Sequence, residues 1–282
     1  MKEIIEFRID KKYAGLLFHP EEGQDLGDYQ VIKISKDDPK YEKIGFLRKE
    51  IEEKYNDFFF LYWDIKRKYS KKELDVADLL HLIIKTTFEP TGEECGTLFD
   101  ETMACEICGA NRKQAGPLIL KQGKIPKKDI ARTIGGEVVV SEKFVNMVKQ
   151  RNIKGLQLRP INVENYYQLT AIKEIELSSS TLVGLNPFDL STRNEDEIYK
   201  CPKGHTIGLN LLSEPYVLDS QAIGEYDFLA SKQKVGVKRG MLRPEPIYLC
   251  SQAFRKMVEE EKLSGFKFEV GNIEFNYEHQ YK

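Results

Sequence analysis

The sequence predicts an α+β fold, with an N-terminal α/β region followed by two similar β-α-β units and a discontinuous site rich in cysteine. Three observations lead to this prediction. The first ninety residues mix strand-like and helix-like apolar periodicity, and a strand, serine, helix, glycine, strand pattern occurs twice later in the chain. Between these regions, residues 88–116 show little periodicity and hold three of the five cysteines.

Composition limits the classes of protein to which the chain can belong. It has 282 residues, of which 41% are hydrophobic and 31% charged, which is typical of a globular protein able to fold without disulfide staples. A formal net charge of −2 disfavours a protein whose main task is non-specific binding of nucleic acid. Its apolar runs, such as residues 58–63, fall far short of the roughly 20 residues that span a bilayer.

The cysteine count and the N-terminus indicate a cytoplasmic protein. The N-terminal residues place acids and bases among apolar residues and lack the continuous apolar region of a secretory signal. Five cysteines are an odd number for a disulfide framework. In a reducing compartment, clustered cysteines more often bind metal or carry out redox chemistry.

The N-terminal region is predicted to contain several strands and two helices. Ile44, Leu47, Ile51 and Tyr55 recur every three or four residues and predict one helix. A capping box at Ser70 predicts a second helix, with Leu74, Ala77, Leu80 and His81 on its apolar face. Strands are expected at residues 4–9, 30–35 and 57–65. Apolar periodicity is lost near Pro90, where small and turn-forming residues become frequent. We therefore expect an N-terminal region at residues 1–92 and a second region at residues 93–282.

Two later segments share a design and predict an internal repeat, with β-α-β units at about residues 130–165 and 240–272. Each has a serine suited to cap a helix and a glycine suited to end it. Convergence on a common strand-helix-strand design is the alternative to duplication. The identities, 110 residues apart, pair Ser141 with Ser251, Phe144 with Phe254, Met147 with Met257, Val148 with Val258 and Gly155 with Gly265.

One set of residues has the chemistry of a metal site. Cys105 and Cys108 are two residues apart and precede a glycine, so both thiolates can face one metal ion. Cys201 and His205 flank a second tight turn containing Pro and Gly. Together the four residues offer three sulfurs and one imidazole, a common tetrahedral set for structural Zn(II). The two pairs are 92 residues apart, so the zinc-ribbon-like site encloses the first β-α-β unit.

Other roles for the cysteines remain open from the sequence. Cys105 and Cys108 can instead form a redox pair or remain free thiols, and Cys95 is an alternative to His205 as the fourth ligand. Cys250 aligns with Val140 in the repeat and is expected to pack in a core.

The motifs CEICG and CPKGH, together with the two repeated units, resemble bacterial double-CXXCG-motif proteins and related immunity proteins of polymorphic toxin systems. This resemblance covers roughly residues 95–270. It implies a zinc-binding or cysteine-paired cytoplasmic protein that protects its producer by binding a cognate toxin. Cys105, Cys108 and Cys201 match the family motif, whereas the second cysteine of the second motif is absent and His205 takes its place.

The expected function is therefore that of a non-enzymatic zinc-binding protein with a protein partner, of unspecified oligomeric state. No phosphate-binding glycine-rich loop, HExxH or Gly-x-Ser-x-Gly motif occurs in the sequence, although an enzyme site assembled from distant residues remains an alternative. A second alternative is nucleic-acid binding through the basic stretch at residues 112–132. Its cations are Arg112, Lys113, Lys121, Lys124, Lys127, Lys128 and Arg132.

Overall fold

A computed structural model describes residues 1–188, 200–218 and 223–274. Over these residues the fold is mixed α+β, mostly sheet with few helices, as the sequence predicts at this level. The chain divides into two compact units. The first comprises residues 1–71 and the described residues 186–188, and the second comprises the remaining described residues.

The first unit is a four-stranded antiparallel sheet with strand order β2-β3-β1-β4 and two helices. The longer helix, α2, begins after Asp38, whose carboxylate accepts a hydrogen bond from the Lys40 backbone N–H, and it buries Ile44 and Ile51. The apolar periodicity predicted this helix correctly. The elements are β1 (Lys2–Asp10), α1 (Lys11–Ala14), β2 (Gln24–Asp25), β3 (Tyr29–Ser35), α2 (Pro39–Tyr55) and β4 (Phe60–Lys68).

A distant piece of the chain completes the core of the first unit. The ring of Phe188 lies 5.9 Å from that of Phe7 and 4.7 Å from that of Tyr41, measured between centroids. The Tyr41 hydroxyl donates a hydrogen bond to the carbonyl of Pro187 at 3.1 Å. Residues 186–188 therefore belong to this unit, although more than one hundred residues separate them from β4 in sequence.

The second unit contains two larger sheets, with strand orders β11-β12-β10-β9-β6 and β13-β18-β19-β5-β20-β17. Strand β15 pairs with β18 beside the second sheet, and two-stranded ladders join β7 to β8 and β14 to β16. Its elements are α3 (Lys71–Val76), β5 (Leu79–Ile84), β6 (Thr87–Phe88), β7 (Phe99–Asp100), β8 (Lys113–Gln114), β9 (Ile130–Thr133), β10 (Val138–Ser141), α4 (Glu142–Gln150), β11 (Leu156–Pro160), β12 (Tyr166–Ala171), β13 (Glu174–Ile175), β14 (Val183–Gly184), β15 (Thr206–Gly208), β16 (Asn210–Leu211), β17 (Tyr216–Leu218), β18 (Phe228–Val235), β19 (Glu245–Cys250), α5 (Gln252–Glu260) and β20 (Phe266–Glu274).

The helix predicted after Ser70 is wrong over its second half. Helix α3 ends at Val76, and Leu80 and His81 lie in strand β5. Strand β5 pairs with β19 on one side and β20 on the other, so distant hydrogen bonds override the local helical periodicity. These pairings also place the division between the units near residue 71, whereas the sequence places it at residue 92.

Two strand-helix-strand segments lie in the second unit, β10-α4-β11 and β19-α5-β20. The Ser141 hydroxyl caps α4 by accepting a hydrogen bond from the Phe144 N–H at 3.2 Å, and Ser251 caps α5 through Phe254 at the same distance. The rings of Phe144 and Phe254 lie 6.0 Å apart. Because these equivalent residues contact each other, the two segments meet across an approximate two-fold axis.

The hydrogen bonds around the two segments also match position by position. Asp129, directly before β9, accepts from the Ser141 hydroxyl of the first segment at 2.8 Å and from the Ser264 N–H of the second segment at 2.7 Å. Asp227 does the same in reverse, accepting from the Ser251 hydroxyl at 2.6 Å and from the Lys154 N–H at 2.9 Å. Each aspartate thus joins its own copy to the other, and this reciprocity favours duplication over convergence.

The correspondence between the two parts of the chain extends beyond the two segments and includes an exchange of strands. Strand β12 lies between β11 and β10, and β5 occupies the same place between β20 and β19. Strands β6 and β13, which follow β5 and β12 in sequence, pair in parallel with β9 and β18. We therefore define the first repeat as β5 to β11 and the second as β12 to β20, with the first strand of each exchanged into the sheet of the other.

Helices α4 and α5 end at Gln150 and Glu260, several residues before the glycines that the sequence predicts as their ends. Gly155 and Gly265 instead lie directly before strands β11 and β20, where both should be equally intolerant of a side chain. A Cβ on Gly155 would lie 2.2 Å from the Phe228 carbonyl oxygen, and one on Gly265 would lie 2.3 Å from that of Ile130, at φ +96° and +100°. We expect Gly155→Ala and Gly265→Ala each to lower the free energy of unfolding by about 3 kcal/mol in chemical denaturation. Gly116→Ala, where a Cβ meets nothing within 4 Å, is the control. Losses no larger than that of the control would contradict this interpretation.

Candidate metal centre

The first turn of the site, Cys105 to Gly109, lies in the loop enclosed by the β7–β8 ladder. The Cys105 N–H donates to the carbonyl of Ala110, and the Gly109 N–H donates to the carbonyl of Cys105, both at 2.7 Å. Gly109 has φ +71°, a left-handed conformation that favours glycine. These constraints close the turn and bring the thiols of Cys105 and Cys108 to the same side.

The second turn, Cys201 to His205, repeats this arrangement. The Cys201 N–H donates to the carbonyl of Thr206 at 3.1 Å, the Gly204 N–H donates to the carbonyl of Cys201 at 2.8 Å, and Gly204 has φ +78°. The carbonyl of His205 accepts from the Lys234 N–H at 2.8 Å, which attaches the turn to β18.

The two turns bring four ligand atoms together. The Cys105 and Cys201 sulfurs are 3.7 Å apart, and His205 Nδ1 lies 3.5 Å from the Cys201 sulfur and 3.7 Å from the Cys108 sulfur. All four ligand atoms lie within 4.8 Å of one another. A tetrahedron with metal–ligand bonds of about 2.3 Å has edges of about 3.7 Å, so these separations fit one four-coordinate ion.

The cysteines have the burial and the covalent state that a metal site requires. Cys105, Cys108 and Cys201 are each buried, and all three are free thiols. The 3.7 Å between the Cys105 and Cys201 sulfurs is far longer than the roughly 2.05 Å of a disulfide. A shared cation stabilises the deprotonated form of buried thiols this close together, and their protons are released when it binds.

The two thiols of the first turn differ in pKa. The backbone N–H of Cys108 points to the Cys105 sulfur and lowers the pKa of that thiol, whereas burial raises the pKa of the Cys108 thiol. The Cys105 thiol is therefore more acidic than the Cys108 thiol. Metal binding must release the Cys108 proton, so affinity for metal falls as the pH falls.

Asn111 lies beside the imidazole of His205, and no motif in the sequence identifies it. Its side-chain amide lies 3.3 Å from His205 Nε2, the nitrogen on the far side of the ring from the sulfurs. In the flipped orientation the amide oxygen accepts the Nε2–H of an imidazole that ligates through Nδ1. The Asn111 backbone has φ +66°, a conformation asparagine tolerates better than most residues, which is a weak signal in the sequence.

The repeats explain the unusual spacing of the two ligand pairs. The first turn lies between β6 and β9, and the second lies between β13 and β18, which are the corresponding strands of the two repeats. Each repeat thus contributes one pair of ligands. The 92 residues between Cys108 and Cys201 therefore contain the rest of the first repeat and the start of the second.

The remaining cysteines lie apart from this group. Cys95 is half-buried, its N–H bonds to the carbonyls of Thr91 and Gly92, and it is absent from the metal-competent cluster found among the described residues. Cys250 lies in the core of the second unit, where burial raises the pKa of its thiol, as expected for a packed thiol.

The basic stretch at residues 112–132 is divided between arginines in ion pairs and exposed lysines. Arg112 pairs with Glu93 and Glu101 and is largely buried, and Arg132 pairs with Glu245. Both arginines are therefore neutralised by acids of the protein itself. Lys121, Lys124, Lys127 and Lys128 are exposed.

Comparisons with known proteins do not assign the chain to a family. No protein-family model matches the sequence, and no curated protein matches it significantly. Within the part of the chain that the structure describes, no helix combines the length and apolar character needed to cross a bilayer.

The identity of the fourth ligand can be tested by metal titration. We expect the chain to bind one Co(II) with the absorption of a tetrahedral thiolate site, and His205→Ala to weaken binding at least tenfold because it removes one ligand. Cys95→Ser is the matched control and should leave the spectrum and the affinity unchanged. The opposite pattern, with metal lost in Cys95→Ser and kept in His205→Ala, would make Cys95 the ligand.

Proposed function

We propose that Cys105, Cys108, Cys201 and His205 bind one Zn(II) ion with a structural role. The observation that carries this proposal is the convergence of three sulfurs and one imidazole nitrogen. The Cys105–Cys201, Cys108–His205 and Cys201–His205 separations are 3.5–3.7 Å. Thiolate and imidazole ligands in a tetrahedral arrangement favour Zn(II) over the harder cations Mg(II) and Ca(II). Four protein ligands also leave no open position for a substrate or an activated water, which favours a non-enzymatic role.

The ion would replace a hydrophobic core where the chain has little regular structure. The cluster of buried residues around the site consists of the three cysteines and Ala110. Strands β7 and β8, which flank the first turn, are two residues long. A metal bond to each repeat would fix these loops against each other and leave the sheets of the second unit to fold on their own apolar residues.

At the level of the whole protein, we propose an immunity-type function, in which the chain binds and neutralises a cognate bacterial toxin in the cytoplasm. The support is the resemblance of CEICG and CPKGH to double-CXXCG-motif proteins, together with the placement of one motif in each repeat. Free buried thiols suit a reducing compartment. Neutralisation of both arginines of the basic stretch makes nucleic-acid binding the weaker alternative.

Removal of the metal should loosen the site without unfolding the protein. Zinc analysis of untagged protein should give about one ion per chain, and chelation should accelerate amide exchange at residues 95–115 and 200–210. From the sequence, the loosened region around Cys201 is expected to begin at residue 195, and residues 195–199 lie outside the described residues. Strands β10 and β19 should keep their protection, because their core contains no ligand. Complete unfolding on chelation, or protein without zinc, would contradict the structural role.

The immunity-type function can be tested by identifying the partner and measuring growth. The chain should capture one protein from the source organism, bind it when both are purified, and restore growth to cells in which that protein alone is toxic. A captured protein that is harmless when expressed would overturn the toxin assignment. Salt-sensitive capture of nucleic acid that Lys127→Glu and Lys128→Glu abolish would support the alternative.

A further inference from the structure

A cavity of about 320 Å³ lies between the end of β8, the segment that follows it, and strands β11 and β12 of the five-stranded sheet. Its volume is at the small end of the range for ligand pockets, about 300–1,000 Å³. Its polar side chains are Gln114, Arg159 and Gln168, and residues 115–118 and Pro160 complete its lining. None of the four candidate metal ligands lines it, so the cavity is separate from the candidate metal centre.

A reciprocal pair of amides forms one wall of the cavity. Gln114 Nε2 donates to the Gly116 carbonyl at 2.6 Å and to Gln168 Oε1 at 3.1 Å, and Gln168 Nε2 donates to Gln114 Oε1 at 2.7 Å. Because a carbonyl can only accept, Gly116 determines which end of each amide is nitrogen. Gln168 is 8% exposed, and its second N–H has no partner among the residues described. The pair therefore holds one unused donor at the wall of the cavity.

Arg159 gives the cavity its charge. It lies directly opposite Gln168 in the β11–β12 ladder, so both side chains are on the same face of the sheet. Arg159 is exposed, and its guanidinium makes no hydrogen bond or ion pair with any residue that the structure describes. No carboxylate lines the cavity, and Glu137, which precedes β10, lies outside the lining and accepts from the Thr133 hydroxyl. The cavity therefore offers a positive charge and N–H donors that no described residue uses.

The sheet that contains β20 has an equivalent place, which hydrogen bonds identify. The Thr97 hydroxyl donates to the Ile119 carbonyl and accepts from the Ile119 N–H. The Thr181 hydroxyl does the same with the carbonyl and the N–H of Tyr216. The segments that follow β8 and β16 are therefore equivalent, and the ladders β7–β8 and β14–β16 precede them in the same register.

The polar positions of the cavity have different residues in that second place. Leu211 corresponds to Gln114, His81 to Gln168, and Glu269 to Arg159. Leu211 packs in an apolar cluster, and Glu269 is 2% exposed and accepts from Lys267 at 2.7 Å. The donor-lined cavity is therefore specific to the five-stranded sheet and is not a general consequence of the repeated fold.

We propose that this cavity binds a small aliphatic carboxylate, with its charged group on Arg159 and the Gln168 N–H and its hydrocarbon part against Leu118 and Pro160. A guanidinium matches the two oxygens of a carboxylate. One cation also balances the single charge of a carboxylate, whereas a phosphate monoester carries about two charges. The carboxylate can belong to a free acid or to the C-terminus of a polypeptide, since both present the same group. This site goes beyond the proposed metal centre and does not depend on the immunity-type function.

The proposal can be tested with zinc-loaded full-length protein and the aliphatic carboxylates from acetate to hexanoate. We expect saturable changes in the NMR signals of the Gln114 and Gln168 side-chain amides, and neutral amides of the same acids should bind at least about tenfold more weakly. Arg159→Gln should lose at least about tenfold in affinity, because it removes the cation. Gln168→Glu should also lose affinity, because it places a carboxylate in the lining.

The matched control is Lys149→Gln, which makes the same change in charge on an exposed residue of α4 outside the cavity. It should bind the acids as the unmodified protein does. Saturable binding by none of the carboxylates, equal loss in Lys149→Gln and Arg159→Gln, or tighter binding of inorganic phosphate would overturn the proposal. Zinc content measured in every variant separates failure of this cavity from failure of the metal centre.

A short peptide that ends in valine distinguishes the two sources of the carboxylate. Tighter binding of this peptide than of the free acids, lost when its C-terminus is amidated, would support a polypeptide terminus as the ligand. Tighter binding of a free acid would support a small molecule.

Discussion

The exchange of β5 and β12 between the two repeats is the constraint on which the second unit depends. Each strand pairs on both sides with strands of the other repeat, so neither sheet is complete within one copy. The exchange sets the two strand-helix-strand segments across an approximate two-fold axis, where Phe144 meets Phe254. It also brings the loops after β6 and β13 together, which is how two turns far apart in sequence come to share one candidate metal centre.

The sequence predicts those features that depend on local signals. The serine caps place the starts of α4 and α5 correctly, since a cap is decided within a few residues, whereas both helices end before the predicted glycines, next to the left-handed residues Asn152 and Lys262. The candidate ligands are recognisable because two cysteines at a spacing of three, followed by glycine, are typical of metal sites and of redox pairs alike. The conformation predicted for β5 is wrong. Its periodicity suits a helix, but the hydrogen bonds that decide its conformation come from residues 248–250 and 266–271. The Asp129 and Asp227 links and the role of Asn111 likewise require three-dimensional contacts.

Two parts of the second unit are stabilised in different ways. The segments near the repeat axis share a core of aromatic and aliphatic side chains, and burial of that apolar surface supplies most of their stability. The loops that carry the candidate ligands have short strands, ion pairs and a small cluster of thiols in place of a core.

The position of Phe188 in the first unit has a consequence for the order of events during synthesis. Residues 1–71 leave the ribosome well before residue 188, and at about 5–20 residues per second the delay is roughly 6 to 25 seconds. During that time the sheet lacks the ring that packs on Phe7 and Tyr41. The first unit therefore cannot finish folding before the first repeat has been translated, so nascent chains depend on a delayed intramolecular closure that a fragment ending at residue 71 could never make.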